Sequence, residues 1–156
     1  MYEGGLRVPF IARRPGRIPE NRVSDEIIAL WDLLPTFAEL AGEAVPANVD
    51  GVSIVAALQG GEIARPGGFL YWDYGHCRRR YDQAVRLNDW KGVRLGREGT
   101  IELYDLSVDR AEEHDVAAQH PDVVAKIADI MQTAVTPSDR YPVGTIYRGR
   151  PLWHPR

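Results

Sequence analysis

The texture of apolar and polar positions changes near residue 66. Before it the pattern predicts strand–helix units, and after it short strands at hairpin spacing. Residues 6–12 (LRVPFIA) are apolar and β-rich, and Arg13-Arg14-Pro15-Gly16 ends them in a turn. Pro9 and Pro15 restrict that strand to a sheet edge or an irregular start. Residues 24–42 resemble one long helix at first, but Pro35 would remove an interior hydrogen bond and clash with the preceding turn. With Asp32 as N-cap, Pro35 falls in the first turn, where its missing N–H costs little. Leu33, Leu34, Phe37, Leu40 and Ala41 then form an apolar face, and Gly42 is the expected stop. Residues 26–31 are left as a strand. Asp50-Gly51 reads as a turn, Ser53 as a cap, 54–59 as a short helix and Gly60-Gly61 as its end.

Beyond residue 66, four runs are β-rich: FLYWDY (69–74), QAVRL (83–87), WKGVRL (90–95) and TIELYDL (100–106). Asn88-Asp89 and residues 96–99 punctuate them, as in a small antiparallel sheet. His120-Pro121-Asp122 opens a helix with Pro at its first position. Val123, Val124, Ile127, Ile130, Met131 and Ala134 make its apolar stripe. The tail from Thr136 to Arg156 holds four prolines and reads as extended. The expected fold class is α/β (α+β), with residues 1–65, 66–135 and 136–156 as its three parts. The first part has too few strands to close a sheet and needs strands from elsewhere.

Composition narrows the classes. A chain of 156 residues, 44% hydrophobic and 26% charged, is an ordinary globular composition of about one domain. No apolar run has the ~18 residues of a membrane span, and no basic segment followed by an apolar one opens the chain. A net charge of −3 argues against nucleic acid as a partner. The single cysteine, Cys77, excludes an internal disulfide and a cysteine-based zinc site. Charge is segregated: residues 76–97 are rich in arginine, and residues 98–129 hold nine acids against Arg110 and Lys126. Lys91 and Lys126 are the only lysines among 19 basic residues.

Tyr2-Glu3-Gly4-Gly5-Leu6-Arg7-Val8-Pro9 resembles the Y-E-G-G-x-R-V-P segment of the sulfatase family, in the alkaline-phosphatase-like superfamily. Further segments follow in family order. Arg14-Pro15-Gly16 is similar to a W-P-G-like turn. Trp31-Asp32-Leu33-Leu34-Pro35-Thr36 with Leu40-Ala41-Gly42 is similar to D-[IL]-x-P-T…L-A-G. Asp50-Gly51-Val52-Ser53-Ile54 is similar to D-G-x-S-L. Leu70 to Asp73, Gln83 to Arg86, Asp89-Trp90-Lys91 and Glu102 to Leu106 resemble the C-terminal region of bacterial sulfatases. Asp109 to Ala117 is similar to D-P-x-E-x-x-N-L-A, with Arg110 and Asp115 departing. The resemblance covers about residues 1–135 and implies the C-terminal part of a sulfatase fold: the end of an α/β catalytic domain, then a small antiparallel sheet packed by a C-terminal helix.

The family's C/S-x-P-S/A-R motif, whose Cys or Ser becomes the formylglycine nucleophile, is absent from this sequence. The calcium carboxylates and the sulfate-contacting lysine precede Y-E-G-G in the family. The resemblance therefore implies a sulfatase C-terminal fragment with no catalytic or metal-ligating residue of its own. Calcium and formylglycine are family cofactors that a missing N-terminal part would supply. Sulfate-ester cleavage needs an activated nucleophile, a cation and an acid for the leaving group, so the chain alone is expected to be inactive. Its expected partners are a sulfate-ester substrate in the intact enzyme and an N-terminal sulfatase portion or a second copy of itself, with neither nucleic acid nor a membrane.

Several residues carry open alternatives. Glu3 and Arg7 are expected to pair and shape the Gly4-Gly5 turn beside the active site. His76 either faces the substrate pocket or is a solvated loop histidine. Arg86 either grips an anionic or sugar group through its planar fork or is a structural strand arginine. Arg78 to Arg80 form a solvated loop or an anion cradle. Cys77 lacks a placed base, and Trp31, Trp72 and Trp90 are expected in the core. Two other functional classes stay open: a related phosphonate monoesterase or phosphodiesterase, and a non-enzymatic anion-binding module.

Overall fold

A computed structural model describes residues 1–74 and 80–136. His76, Cys77, Arg78 and Arg79 lie outside the described residues, as does the tail beyond residue 136. The chain divides into two compact units. One joins Met1–Val8 to everything from Phe69 onward, and the other is Pro9–Gly68. The first eight residues thus group with the sheet, not with the segment that follows them.

The larger unit is built on a four-stranded antiparallel meander: β1 (Phe69–Tyr74), β2 (Asp82–Leu87), β3 (Trp90–Leu95) and β4 (Ile101–Asp105), ordered β1-β2-β3-β4. Each strand pairs with its sequence neighbour, with Leu70 opposite Arg86, Arg86 opposite Lys91, and Lys91 opposite Tyr104. The β2–β3 connection is Asn88-Asp89. Asn88 takes φ 54°, a left-handed position that a short polar side chain tolerates.

Alternation gives this sheet two covered faces. On one face Val85 and Leu103 meet Val123, Ile127 and Met131 of the helix α4 (Pro121–Thr133). That helix starts at Pro121 and buries the stripe the sequence predicts. Gly92 lets it come close, since a Cβ there would lie 2.5 Å from Cγ2 of Ile127. On the opposite face Ala84, Val93, Tyr104 and Leu106 form a second core, with Trp72 and Leu95 of the same face beside it and Met1 and Tyr2 packed onto it. The N-terminal segment is therefore the lid of the sheet's second face. Within it, Glu3–Leu6 makes a one-turn helix, α1.

The smaller unit centres on a buried carboxylate. Asp32 ends a short 3₁₀ turn and precedes the helix α2 (Leu33–Ala41). Its side chain does not cap α2, as the sequence suggests. It accepts from the backbone N–H of Ala29 at 2.7 Å and of Val52 at 3.0 Å, and takes both terminal nitrogens of Arg65 at 3.0 and 2.6 Å. Thr36 Oγ1 donates to the Asp32 carbonyl at 2.6 Å and accepts from the Ile54 N–H at 3.0 Å. That bridge ties α2 to the entry of the helix α3 (Val55–Gln59). Pro35 is buried in the first turn of α2, and Gly42 at φ 74° ends the helix with Glu43 N–H donating to the Ala38 carbonyl.

Two sequence expectations are corrected here. Residues 7–14 and 23–29 carry no regular secondary structure, and residues 3–6 are helical, so the strands expected over 6–12 and 26–31 are not formed. A strand is defined by its ladder, and these β-rich runs have no partner strand among the described residues. The apolar face of α2 also points outward: Pro35 and Thr36 are its buried residues, whereas Leu34, Phe37 and Leu40 are exposed.

Candidate functional site

The chemically dense part of the molecule is the interface between the N-terminal segment and the second face of the sheet. The pleat sends Trp72, Arg86, Lys91, Glu102 and Tyr104 to that face. Tyr2 and Glu3 descend onto them. The Tyr2 hydroxyl donates to Glu102 Oε2 at 2.6 Å, and Tyr104 donates to the same oxygen at 2.9 Å. The two rings meet edge to face, with centroids 6.3 Å apart. Burial and the Glu102 carboxylate push the Tyr2 phenol up to about 12 from 10.0. The Tyr104 phenol is raised by the same two causes.

One residue further on, charges are buried. Lys91 is fully buried, and its Nζ donates to Glu3 Oε1 at 2.6 Å. The ammonium lies 3.7 Å from Glu112 Oε1 and 5.5 Å from the centre of the Trp72 ring. Glu112 Oε2 accepts the backbone N–H of Glu3 at 2.6 Å. Arg86 Nη1 reaches Glu3 Oε2 at 3.4 Å, and its Nε donates to the Asn88 carbonyl at 3.1 Å. Two carboxylates thus face one ammonium and one guanidinium. The loop that brings in Glu112 is organised by Asp109, which accepts from the N–H groups of Glu113 and His114. Those bonds, the one from His114 foremost, hold the Asp109 carboxyl below its ordinary range.

The predicted residues fall as follows. Glu3 is buried at the centre of the cluster, but its partner is Lys91 rather than Arg7, whose side chain is exposed and makes no ion pair among the described residues. Glu3 and Arg7 sit at either end of one helical turn, where the Arg7 N–H bonds the Glu3 carbonyl, and Glu3 points to the sheet while Arg7 points out. Gly4 and Gly5 are exposed, with no atom within 4 Å of where a Cβ would stand. Arg86 joins the cluster from its edge, with two of its nitrogens engaged. His76 lies outside the described residues.

Sequence reasoning missed Lys91, Glu102 and Glu112. The signal for Lys91 is its register. It shares a strand face with Val93 and Leu95, where alternation calls for an apolar side chain. The signal for Glu112 is its place in Asp109 to Ala117, where it matches the Glu of D-P-x-E-x-x-N-L-A; its backbone takes φ 57°, which the motif does not announce.

Among the described residues no three of His, Cys, Asp and Glu gather as a metal-ligand set. The carboxylates that do meet, Glu3 and Glu112, face an ammonium instead. They do not fit the calcium that the sequence resemblance implies.

Comparisons with known proteins cover nearly all the described chain. It is 30% identical over 143 residues to an uncharacterized sulfatase of Schizosaccharomyces pombe, covering 81% of this chain and 24% of that protein. An N-acetylgalactosamine-6-O-sulfatase of Bacteroides thetaiotaomicron is 25% identical over 146 residues, covering 86% of this chain and 28% of that protein. Among solved structures, a 2-O GAG sulfatase superposes with a TM-score of 0.57 at 25% identity, covering 66% of this chain and 23% of that one. The chain spans about a quarter of the length of these relatives. Helices with a small antiparallel sheet are here part of an alkaline-phosphatase-like sulfatase fold. Residues 1–137 match the family described as N-sulphoglucosamine sulphohydrolase, C-terminal, and the chain belongs to that family, as a C-terminal portion of a sulfatase.

Proposed function

We propose that this chain serves sulfate-ester hydrolysis as the C-terminal portion of a sulfatase, supporting and lining the reaction site rather than supplying its nucleophile. The family match over residues 1–137, which runs through both compact units, carries this reading. Relatives named as sulfatases of N-acetylgalactosamine and of GAG support a sulfated sugar as the substrate class.

In this reading Glu3, Gly4, Gly5 and Arg7 form the turn beside the reaction site, and Arg86 and His76 are the residues offered to the substrate. Arg86 suits the role physically. Its Nε and Nη1 are held by Asn88 and Glu3, which orients the guanidinium plane, and Nη2 keeps its donors for an anionic group. The formylglycine nucleophile and calcium come from residues other than these.

The 156-residue polypeptide alone is expected to turn over no aryl sulfate, because the ~8 kcal/mol or more of transition-state stabilisation an enzyme supplies has no source in a supporting rim. Grafted in place of the matching region of an active sulfatase, it is expected to sustain turnover. A graft that folds but hydrolyses no sulfate ester would overturn the reading. So would turnover by the pure chain that a substitution within it abolishes.

A further inference from the structure

The buried charges under the N-terminal segment are arranged at some cost to the backbone. Glu112 is only 3% exposed at its side chain, and one oxygen, Oε1, has no hydrogen-bond partner among the described residues. Glu112 accepts the Glu3 N–H with its other oxygen and holds φ 57°, a region that a residue with a Cβ rarely adopts. Lys91, fully buried, is pinned between Glu3, Glu112 and the Trp72 ring.

Such a cluster is a poor source of stability. Charges taken out of water lose more than pairing returns unless the geometry is near ideal, and whole buried clusters are often replaced without loss. What an ammonium between two carboxylates supplies is a single arrangement. Apolar side chains would let the segment slide over the sheet. The residue being fixed is Glu3, held at both its carboxylate and its N–H. Tyr2 is held independently through Glu102. Directly after these anchors come Gly4 and Gly5, whose outward side is bare backbone in open space.

We infer that Lys91 and Glu112 are positioning residues: they lock Glu3 and so fix the path of the Gly4–Gly5 backbone. The inference rests on the sulfatase reading for its consequence in turnover, since that reading sets this turn beside the reaction site. It does not rest on it for the mechanics, which are open to measurement in the chain itself.

Amide hydrogen exchange on the full chain tests the mechanics. The amides of Gly5, Leu6 and Arg7 bond to the carbonyls of Tyr2 and Glu3, so they report the order of the turn. In the triple variant Glu3→Gln/Lys91→Met/Glu112→Gln they are expected to exchange about tenfold faster or more, while Val85 and Val93 in the sheet keep their protection. Glu112→Gln alone, which leaves the Lys91–Glu3 pair, is expected to fall between. Unchanged exchange at residues 5–7 would overturn the inference. Loss of protection across the whole sheet would overturn it too, because the cluster would then be a stability element. In the grafted sulfatase, the triple variant is expected to lower kcat about tenfold or more with KM little changed. An inactive parent graft would count against the sulfatase reading and leave the exchange result to decide the clamp. An active parent whose kcat the triple variant does not lower would overturn the clamp alone.

Discussion

Lysine at position 91 is a choice of chemistry as well as charge. An ammonium is compact enough to sit between two carboxylates and a ring, where a planar guanidinium would need a wider fork. Removing it alone is expected to be severe, because Glu3 and Glu112 would remain buried with their main counter-charge gone. Lys91→Met should cost about 3–5 kcal/mol, read as a lower urea midpoint at constant slope. A variant as stable as the parent would show that water already reaches the carboxylates. Tyr2 gives a second test, through pH. Burial, and then the Glu102 carboxylate, push its phenol up to about 12 from 10.0, so the fold favours the neutral form. That contribution is fully present below pH 10 and is lost as the pH rises from 10 to 12. Tyr2→Phe should therefore lose less stability than the parent over that interval, and an identical alkaline profile would contradict the burial of the phenol against Glu102. Glu3 was legible at this scale as part of a family segment, but its partner was not. The sequence suggested Arg7, four residues away, and the fold supplied Lys91, 88 residues away.

Elements whose partners are their sequence neighbours were read correctly, and those that need distant partners were not. The four strands of the meander pair in order, and their turns carry local signals such as Asn88. Helix α4 shows a full apolar stripe, which settled both its existence and its buried face. Residues 6–12 and 26–31 have strand composition but no ladder to join among the described residues, so composition misled. Gly92 shows what composition leaves out. Its lack of a side chain is set by Ile127, a fully buried residue of the helix above. Gly92→Ala should overpack this contact and cost about 1–3 kcal/mol. Adding Ile127→Ala opens the space the methyl needs, so the double variant should lose clearly less than the two single losses added together. Strict additivity in a double-mutant cycle by denaturant unfolding would mean that α4 does not rest on Gly92.

For the molecule as a whole, the exposed side of α2 is an unsatisfied apolar surface among the described residues. Leu34 is 54% exposed, Phe37 62% and Leu30, one turn earlier, 70%. The spacing of 34 and 37 places these two side chains on one side of the helix, and Leu30 is exposed in the 3₁₀ turn that precedes it, so they are read as a patch. Water in contact with such a patch favours any association that covers it. The chain spans about a quarter of its relatives' length, and in the reading proposed above such a surface would meet either the rest of a sulfatase or a second copy of the chain. In a solution of the pure chain only the second is present. Light scattering should therefore show mass rising with concentration, and a dye that reports apolar surface should bind at low concentration and be displaced as association proceeds. Leu34→Gln together with Phe37→Gln should suppress both signals while leaving hydrogen exchange in the sheet unchanged, because neither residue belongs to either core cluster of the sheet. A parent chain that stays monomeric and binds no dye would mean that α2 is covered in solution by the chain itself, and the outward stripe would cease to mark an interface.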